Sequence, residues 1–296
     1  MTIEISVIVP FANTEQLIGS CVRSLLDQDF PTDRYEVIMV DNNSSDRSAQ
    51  IVREHPKVRL VTESEQGAYA ARNRGLTLAR APIVAFTDSD CVVESDWLSN
   101  ISRALEPPEV GLVLGRRHYA SGAGAHMAFL ADYESEYAAF MCTATSAESY
   151  FGYTNNMGVK REIFEDLGPF DTLRRGADTL FVQRVAARRS CSAIVYSADL
   201  RVRHLEITQA SHYYRKRFLY GKTFGRRTKW GHTNPHWMSL TDKLRMVVRV
   251  ARASEGSLAG DARASEGSRA RFVLGYPALL AGKVCFLCGC YYGRLS

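Results

Sequence analysis

Two aspartates stand one residue apart in the stretch "PIVAFTDSDCV". Asp88 and Asp90 end an apolar run that is typical of a buried strand, and burying an unpaired carboxylate is costly. A positive partner is therefore expected beside them, either a basic side chain or a metal ion. Mg²⁺ usually binds one or two carboxylates together with substrate phosphates. The pair therefore predicts a site for a divalent cation and a diphosphate.

Polar residues also follow two other predicted strands. Strand one leads into Pro10, Phe11 and Asn13, and strand two, "YEVIMVD", ends at Asp41. Ligands of open α/β sheets bind beyond the carboxyl ends of the strands, so these residues are expected at the crevice that holds the aspartate pair. The chain has neither a Gly-x-Gly-x-x-Gly turn after strand one nor a Walker sequence, which argues against a dinucleotide fingerprint or a P-loop.

The elements that position these residues alternate regularly. The strands "EISVIVPF", "YEVIMVD", "VRLVTE" and "PIVAFTD" are each followed by a helical pattern. Such alternation predicts right-handed βαβ units, and continuous apolar strands predict helices on both sheet faces. We therefore expect an α/β fold with a mostly parallel central sheet. Residues 1–205 are predicted to form one domain with halves at 1–108 and 109–205, and 206–296 a helical C-terminal extension.

This extension is basic and then apolar. Residues 213–252 hold eleven Lys and Arg against one acid, Asp242, and the repeated "ARASEGS" suggests a polar linker. The tail "FVLGYPALLAGKVCFLCGCYY" is interrupted by Pro277 and Lys283. A span needs roughly 20 apolar residues, and a central Lys costs about 2.5–3.5 kcal/mol. Residues 272–292 are therefore expected to form a monotopic or re-entrant helix at an anionic membrane surface. A buried helix or a homo-oligomer interface is the alternative.

Composition limits the remaining choices. The chain has 296 residues, 46% hydrophobic and 23% charged, with a net charge of +5, as in globular proteins. The start "MTIEISVIVPF" does not resemble a secretory signal. The seven cysteines are expected to be reduced thiols, as in cytoplasmic proteins. The protein is expected in the cytoplasm, at the inner face of the cell membrane. A metal knuckle at "CFLCGC" is not favoured. No nucleic-acid recognition motif accompanies the basic residues, so no nucleic-acid partner is expected.

Four stretches together resemble glycosyltransferase family 2, which has the GT-A fold. They are "SVIVPFANTEQLIGSCVRSLLDQ", "YEVIMVDNNSSDRSAQIV", "GAYAARNRGLTLARAPIVAFTDSDCVVESDWL" and "GVKREIFEDLGPFD", within about residues 4–205. The resemblance implies inverting transfer of a sugar from a nucleotide-diphosphate donor, usually a UDP-sugar, with Mn²⁺ or Mg²⁺. The residues that it assigns to the donor are Pro10, Phe11, Asn13, Asp41, Arg72, Asp88 and Ser89.

The resemblance also implies a metal site and a catalytic base. Asp90 would bind the cation, and His204 would complete its shell, although a lone His is more often structural. Asp178 stands where the family has its base, in "LGPFDTLRRGADTLFVQRV", but Ala177 replaces the Glu that usually precedes it. Asp178 could instead only cap a helix over 179–189. Likewise, Asp41 could be a turn acid and Arg72 a surface residue.

A third group of candidates lies in the basic extension. Arg215, Arg217, Tyr220 and Lys222, in "RKRFLYGKTFGRR", could contact the diphosphate or the acceptor, or form a solvated helix face. This segment departs from the Gln-x-x-Arg-Trp motif of processive synthases, so one sugar per encounter is expected. A lipid-linked saccharide or glycolipid is the expected acceptor. The alternatives are a sugar-nucleotide nucleotidyltransferase and a non-catalytic membrane adaptor.

Overall fold

The computed structural model describes residues 2–119, 125–206, 209–229, 280–288 and 290–292. In these residues the strands are β1 Ile5–Phe11, β2 Tyr35–Asp41, β3 Val58–Thr62, β4 Ile83–Thr87, β5 Cys91–Val93, β6 Leu112–Tyr119, β7 Asn156–Lys160 and β8 Ile194–His204. The α-helices are α1 Ile18–Leu26, α2 Ser48–Arg53, α3 Ala68–Leu78, α4 Trp97–Ala104, α5 Ala125–Met141, α6 Arg161–Leu167, α7 Ala177–Arg188 and α8 Ala210–Lys229. Residues 280–288 are also helical.

The strands form one mixed sheet, in the order β3-β2-β1-β4-β7-β6-β8-β5 within the described residues. β1 pairs in parallel with β2 and β4, and β2 pairs in parallel with β3. The later strands join in antiparallel pairs, β4 with β7, β6 with β7 and β5 with β8. The predicted α/β class and the helix-flanked sheet are confirmed. The parallel pairing belongs to the N-terminal half, where βαβ units connect the strands.

Helix α3 lies very close to the centre of the parallel strands. A Cβ at position 75 would overlap the side chain of Ile8 and would lie 3.3 Å from Val40 Cγ2. Gly75 therefore lets the helix approach β1 and β2 at a distance that no other residue permits. This approach matters for the site because α3 also carries Tyr69 and Arg72.

A buried amide joins the antiparallel half. The Asn156 side chain donates to the carbonyls of Arg116 (2.9 Å) and Leu200 (2.8 Å), and it accepts from Trp97 Nε1 at 2.8 Å. Asn156 has no exposed surface. Buried polar groups are stable only when hydrogen-bonded, and this amide meets that condition. It fixes β7 against β6, β8 and α4, and so fixes the strand next to β4.

The chain divides into two compact units. The first comprises the residues up to Arg116 together with Met141–Leu205, and the second comprises Arg117–Phe140 with the described residues from Glu206 onward. In the second unit, Met127 and Leu130 of α5 pack with Tyr213 of α8. The predicted boundary between a domain over residues 1–205 and an extension over residues 206–296 stays a prediction.

Candidate active site

The loops after β1 and β2 are fastened to each other. Asn42 donates its N–H to the Phe11 carbonyl at 2.8 Å, and Ser45 donates its N–H to Asn13 Oδ1 at 2.8 Å. Asn13 has φ = 53°, in the left-handed region that Asn tolerates better than most residues. Asp41, 9% exposed, lies beside Phe11 in the strand register and accepts the Ser44 N–H at 3.0 Å. The Asp41 carboxylate therefore stabilises a turn, and its contact with the nucleobase of the donor stays a prediction.

Arg72 and Asp88 form an ion pair at the end of β4. Arg72 is 4% exposed, and its guanidinium lies 5.2 Å from the centre of the Tyr69 ring. The alternative that Arg72 is a surface residue is therefore wrong. The positive partner that the two aspartates required is, for Asp88, a buried arginine from α3. Ser89 is buried between the two acids.

Asp178 lies in the first turn of α7, close to this ion pair. Helix α7 begins at Ala177, and its N-cap is Gly176 with φ = 81°, so the interpretation of Asp178 as a simple N-cap is wrong. Asp178 Oδ1 accepts the Thr179 N–H at 2.8 Å, and the Tyr69 hydroxyl is close enough to the carboxylate to lower its pKa as a donor. We call Tyr69, Arg72, Asp88 and Asp178 the acid–base cluster.

The pKa of Asp178 is raised, mainly because the carboxylate is desolvated by burial. The Thr179 N–H, the charge of Arg72 and the Tyr69 hydroxyl oppose this effect, while the negative charge of Asp88 adds to it. A carboxylate whose pKa is raised is a stronger base than an ordinary aspartate. The environment of Asp178 therefore suits proton abstraction.

Two structural links position Asp178. Asn73 of α3 donates to the Phe170 carbonyl at 2.8 Å and accepts the Phe170 N–H at 3.1 Å. The Phe170 ring packs against Phe181 of α7, with ring centres 4.9 Å apart. Both links start at Phe170, in the segment before α7. One connects this segment to α3, and the other connects it to α7. They hold Asp178 next to Tyr69 and Arg72.

Asp90 and His204 meet where β5 pairs with β8. Asp90 Oδ2 lies 3.5 Å from His204 Nε2, and the Leu205 N–H donates to the Asp90 carbonyl at 2.8 Å. Cys91, opposite His204 in the strand register, adds a third potential ligand. One ligand atom from each of Asp90, Cys91 and His204 lies within 4.8 Å of the others, and we call this set the metal-ligand cluster. An oxygen, a nitrogen and a sulfur donor this close together fit a divalent cation.

The candidates on α8 lie in the second compact unit. Arg217 is 3.8 Å from Glu134 Oε1, and its guanidinium lies 5.4 Å from the centre of the Phe286 ring. Lys222 Nζ lies 4.6 Å from the centre of the Tyr292 ring. Arg215 and Tyr220 are exposed. The contacts of these four side chains with a diphosphate or an acceptor stay predictions.

Sequence reasoning missed Tyr69 and Cys91. The signal for Tyr69 was its place three residues before Arg72, which puts both on one face of a helix. The signal for Cys91 was its position directly after Asp90, but an isolated cysteine in an apolar strand is usually only packed.

A mixed sheet with acids at the carboxyl ends of its parallel strands is the arrangement of GT-A glycosyltransferases. The mannosyltransferase PcManGT from Pyrobaculum calidifontis, solved with GDP-Man and Mn²⁺, has a TM-score of 0.67 at 22% identity, over 100% of this chain and 88% of that one. Staphylococcus aureus TarS 1–349 with UDP has a TM-score of 0.56 at 19% identity, over 99% of this chain and 92% of that one. These similarities establish the fold.

Residues 6–168, more than half of the chain, match the family described as Glycosyl transferase family 2, and the chain belongs to that family. It is 30% identical over 202 residues to glycosyltransferase AglE of Haloferax volcanii, spanning 61% of this chain and 60% of that protein. It is 32% identical over 124 residues to the β-monoglucosyldiacylglycerol synthase of Trichormus variabilis, spanning 40% of this chain and 26% of that one.

Proposed function

We propose that this protein transfers a sugar from a nucleotide-diphosphate donor to an acceptor hydroxyl, with inversion at the anomeric carbon. The observation that carries the proposal is the acid–base cluster, in which a partly buried Asp178 with a raised pKa stands beside the Arg72–Asp88 ion pair. Family membership favours glycosyl transfer over the nucleotidyltransferase alternative.

Asp178 is the residue that we assign as the general base. It takes the proton of the acceptor hydroxyl as that oxygen bonds to the anomeric carbon and the nucleoside diphosphate leaves. The Thr179 N–H orients the carboxylate by a hydrogen bond, and the Tyr69 hydroxyl favours its charged form. Ala177 puts no carboxylate before Asp178, so acceptor binding relies on other groups.

Arg72 and Asp88 are assigned to the donor. The Asp88 side chain is 32% exposed, so it can reach a ribose or sugar hydroxyl while remaining paired with the arginine. Asp41, Phe11 and Asn13 lie at the ends of the adjoining strands, where the nucleoside is expected. A uridine nucleotide is our preferred donor, and a guanosine nucleotide is the competitor to test against it.

The metal-ligand cluster fits the divalent cation that this reaction requires. Asp90 and His204 would hold Mn²⁺ or Mg²⁺, and the nitrogen donor favours Mn²⁺. Such a cation, when bound, stabilises negative charge on a diphosphate. The residues of this chain would supply the site of the cation. The pairing of β5 with β8 holds Asp90 next to His204.

A membrane-bound acceptor is the finer part of the proposal. Leu280, Val284 and Leu287 are 50%, 59% and 49% exposed, and their spacing of four and three puts them on one face of the helix over residues 280–288. We call this set the apolar stripe. Contiguous exposed apolar side chains of this kind mark interaction surfaces. No helix long and apolar enough to cross a membrane occurs in the described part of the chain.

The charge of the neighbouring helix supports an anionic lipid surface as the partner. Gly221 and Gly225 of α8 lie against the backbone of Phe286 and Cys290, so the basic helix and the stripe-bearing segment are in direct contact. Basic residues attract anionic lipid headgroups at about 1 kcal/mol each. A peripheral position on an anionic membrane is therefore proposed, with a lipid-linked saccharide or glycolipid as the acceptor. The similarity to the β-monoglucosyldiacylglycerol synthase of Trichormus variabilis is consistent with it.

A screen of nucleotide sugars tests the function. UDP- and GDP-sugars are added with and without Mn²⁺, and the unfolding temperature and donor hydrolysis are measured. A bound donor raises the unfolding temperature by mass action. We expect a metal-dependent rise for the true donor, and its loss in Asp90→Ala. A screen in which no nucleotide sugar shifts the unfolding temperature would favour the non-catalytic adaptor.

A further inference from the structure

The thiol of Cys91 lies at the metal-ligand cluster. Its Sγ is 3.6 Å from Asp90 Oδ1, while Asp90 Oδ2 is 3.5 Å from His204 Nε2. Cys91 has no exposed surface, and the His204 side chain is 7% exposed. These three residues are adjacent because Asp90 and Cys91 are consecutive and because Cys91 pairs with His204 across β5 and β8.

The spacing matches a tetrahedral site. Zinc binds oxygen, nitrogen and sulfur at about 2.0–2.3 Å, so tetrahedral ligand atoms lie about 3.3–3.8 Å apart. His204 Nε2 lies 3.5 Å from Asp90 Oδ2 and Cys91 Sγ lies 3.6 Å from Asp90 Oδ1, so each is at such a distance from one of the two carboxylate oxygens, and a small rotation of the carboxylate brings a single oxygen close to both. One ligand atom from each residue lies within 4.8 Å of the others, so small side-chain rotations bring the third pair into range. Three protein ligands with an open fourth position are the pattern of catalytic zinc sites.

We propose that Cys91 is a third protein ligand at this site, and that the site binds the thiophilic cations Zn²⁺ and Co²⁺ through one oxygen, one nitrogen and one sulfur. The proposal rests on the proposed function, which places a divalent cation at Asp90 and His204. Thiolate ligands select softer cations than carboxylates and water do. Binding breaks the S–H bond, forms a bond between sulfur and metal, and releases the proton to solvent.

A purely structural role for Cys91 makes a different prediction. As a weak donor, the thiol would orient the Asp90 carboxylate and leave metal coordination to oxygen and nitrogen. The chain offers a matched control for this distinction. Cys21 is an equally buried thiol whose Sγ lies 3.5 Å from the Asp88 carbonyl, and it is not part of the metal-ligand cluster.

Cobalt spectroscopy separates the two roles. Cys285, Cys288 and Cys290 are first replaced by Ser, because these thiols are not in disulfides and could bind cobalt themselves. Co²⁺ is then titrated into this background, and the near-ultraviolet sulfur-to-cobalt charge-transfer band is recorded. We expect one thiolate ligand per chain, loss of the band in Cys91→Ser and in Cys91→Ala, and its retention in Cys21→Ala.

Two further measurements keep the outcomes distinct. X-ray absorption of the zinc-loaded background protein counts sulfur neighbours without any change at Cys91, and Mn²⁺ binding is followed by electron paramagnetic resonance. Mn²⁺ binding without a cobalt thiolate band or a zinc–sulfur neighbour would overturn the role of Cys91 and leave the proposed function intact. Failure of every cation to bind would overturn both. A band that survives in Cys91→Ser also overturns the proposal.

Discussion

The hydroxyl of Tyr69 on α3 acts as a donor toward the carboxylate of Asp178 on α7 and lowers its pKa, and the two residues are 109 positions apart in the sequence. Burial raises the pKa of Asp178, and the Tyr69 hydroxyl opposes that rise. The basicity of the proposed base is therefore a balance between desolvation and donors that the fold supplies. A donor hydroxyl can be removed without a change of shape, which makes the balance measurable.

Replacing Tyr69 by Phe is expected to move the acid side of the pH–activity profile to higher pH. A general base must be deprotonated, so activity falls as the pH drops through the pKa of Asp178. The Tyr69 hydroxyl stabilises the charged carboxylate, and its removal raises that pKa further. The measurement is kcat/KM against pH for the wild type and Tyr69→Phe. An acid limb that stays in place, or that moves to lower pH, would contradict the assignment of Asp178.

Asp178→Asn is expected to reduce kcat by about 10²–10⁴, the usual contribution of general base catalysis. Asn keeps the size of the side chain but cannot take a proton. Donor affinity should change little, because Asp178 is assigned to the acceptor hydroxyl. Transfer rates and donor binding are measured on the same preparations, with the unfolding temperature as a check of folding. Full turnover in Asp178→Asn would exclude this residue as the base.

The Arg72–Asp88 ion pair is expected to stabilise the fold as well as the donor site. Arg72→Met removes the partner of a carboxylate that is only partly exposed, at a cost of about 1–3 kcal/mol of unfolding free energy. The double variant Arg72→Met/Asp88→Asn should lose less than the sum of the single variants, because no unpaired charge remains. Arg74→Met changes an exposed arginine on the same helix and serves as the control. If the unfolding free energy lost in the double variant equals the sum of the losses in the two single variants, the ion pair contributes nothing to stability.

Much of the N-terminal half, residues 1–108, could be predicted from the sequence. Its strands are continuous apolar runs, and its helices have regular spacing, so local periodicity determines β1 to β4 and places Asp41, Asp88 and Asp90 at strand ends. The positive partner of Asp88 could not be identified in the same way. Arg72 reaches it only because α3 packs closely on β1, which is a consequence of tertiary packing at Gly75.

The rest of the fold was less predictable, for a physical reason. Strand β5 is three residues long, too short to show a period, yet its pairing with β8 brings His204 to Asp90. Strand β8 runs unbroken over Ile194–His204, although residues 197–199 interrupt its apolar pattern in the sequence. The Ala-, Gly- and Tyr-rich segment that follows β6, up to about residue 145, has no clear period in the sequence, and α5 forms there with a partner in the second unit. Non-local pairing decided each of these cases.

Gly75→Ala is expected to destabilise the protein by about 1–3 kcal/mol, the usual cost of overpacking a core. The added methyl would overlap Ile8, and a shift of α3 would also move Tyr69 and Arg72. Gly19→Ala, in α1, is the control, since its nearest neighbours would lie at 3.4 and 3.8 Å and no such loss is expected. Urea unfolding of both variants gives the comparison. Equal stability of the two would mean that α3 can move away from β1 freely.

Replacing Val284 and Leu287 by Glu is expected to abolish binding to anionic lipid vesicles. Both side chains belong to the apolar stripe, and a charge on this face costs free energy on insertion and repels anionic headgroups. Leu173→Glu changes an exposed leucine of the first unit, 40% exposed, and should leave binding unchanged. Flotation with phosphatidylglycerol vesicles measures the effect, and added salt should weaken wild-type binding because it screens the basic residues. Vesicle binding that survives the double substitution would contradict the membrane role. A fall in molar mass by light scattering would instead assign the stripe to contact between copies of the chain.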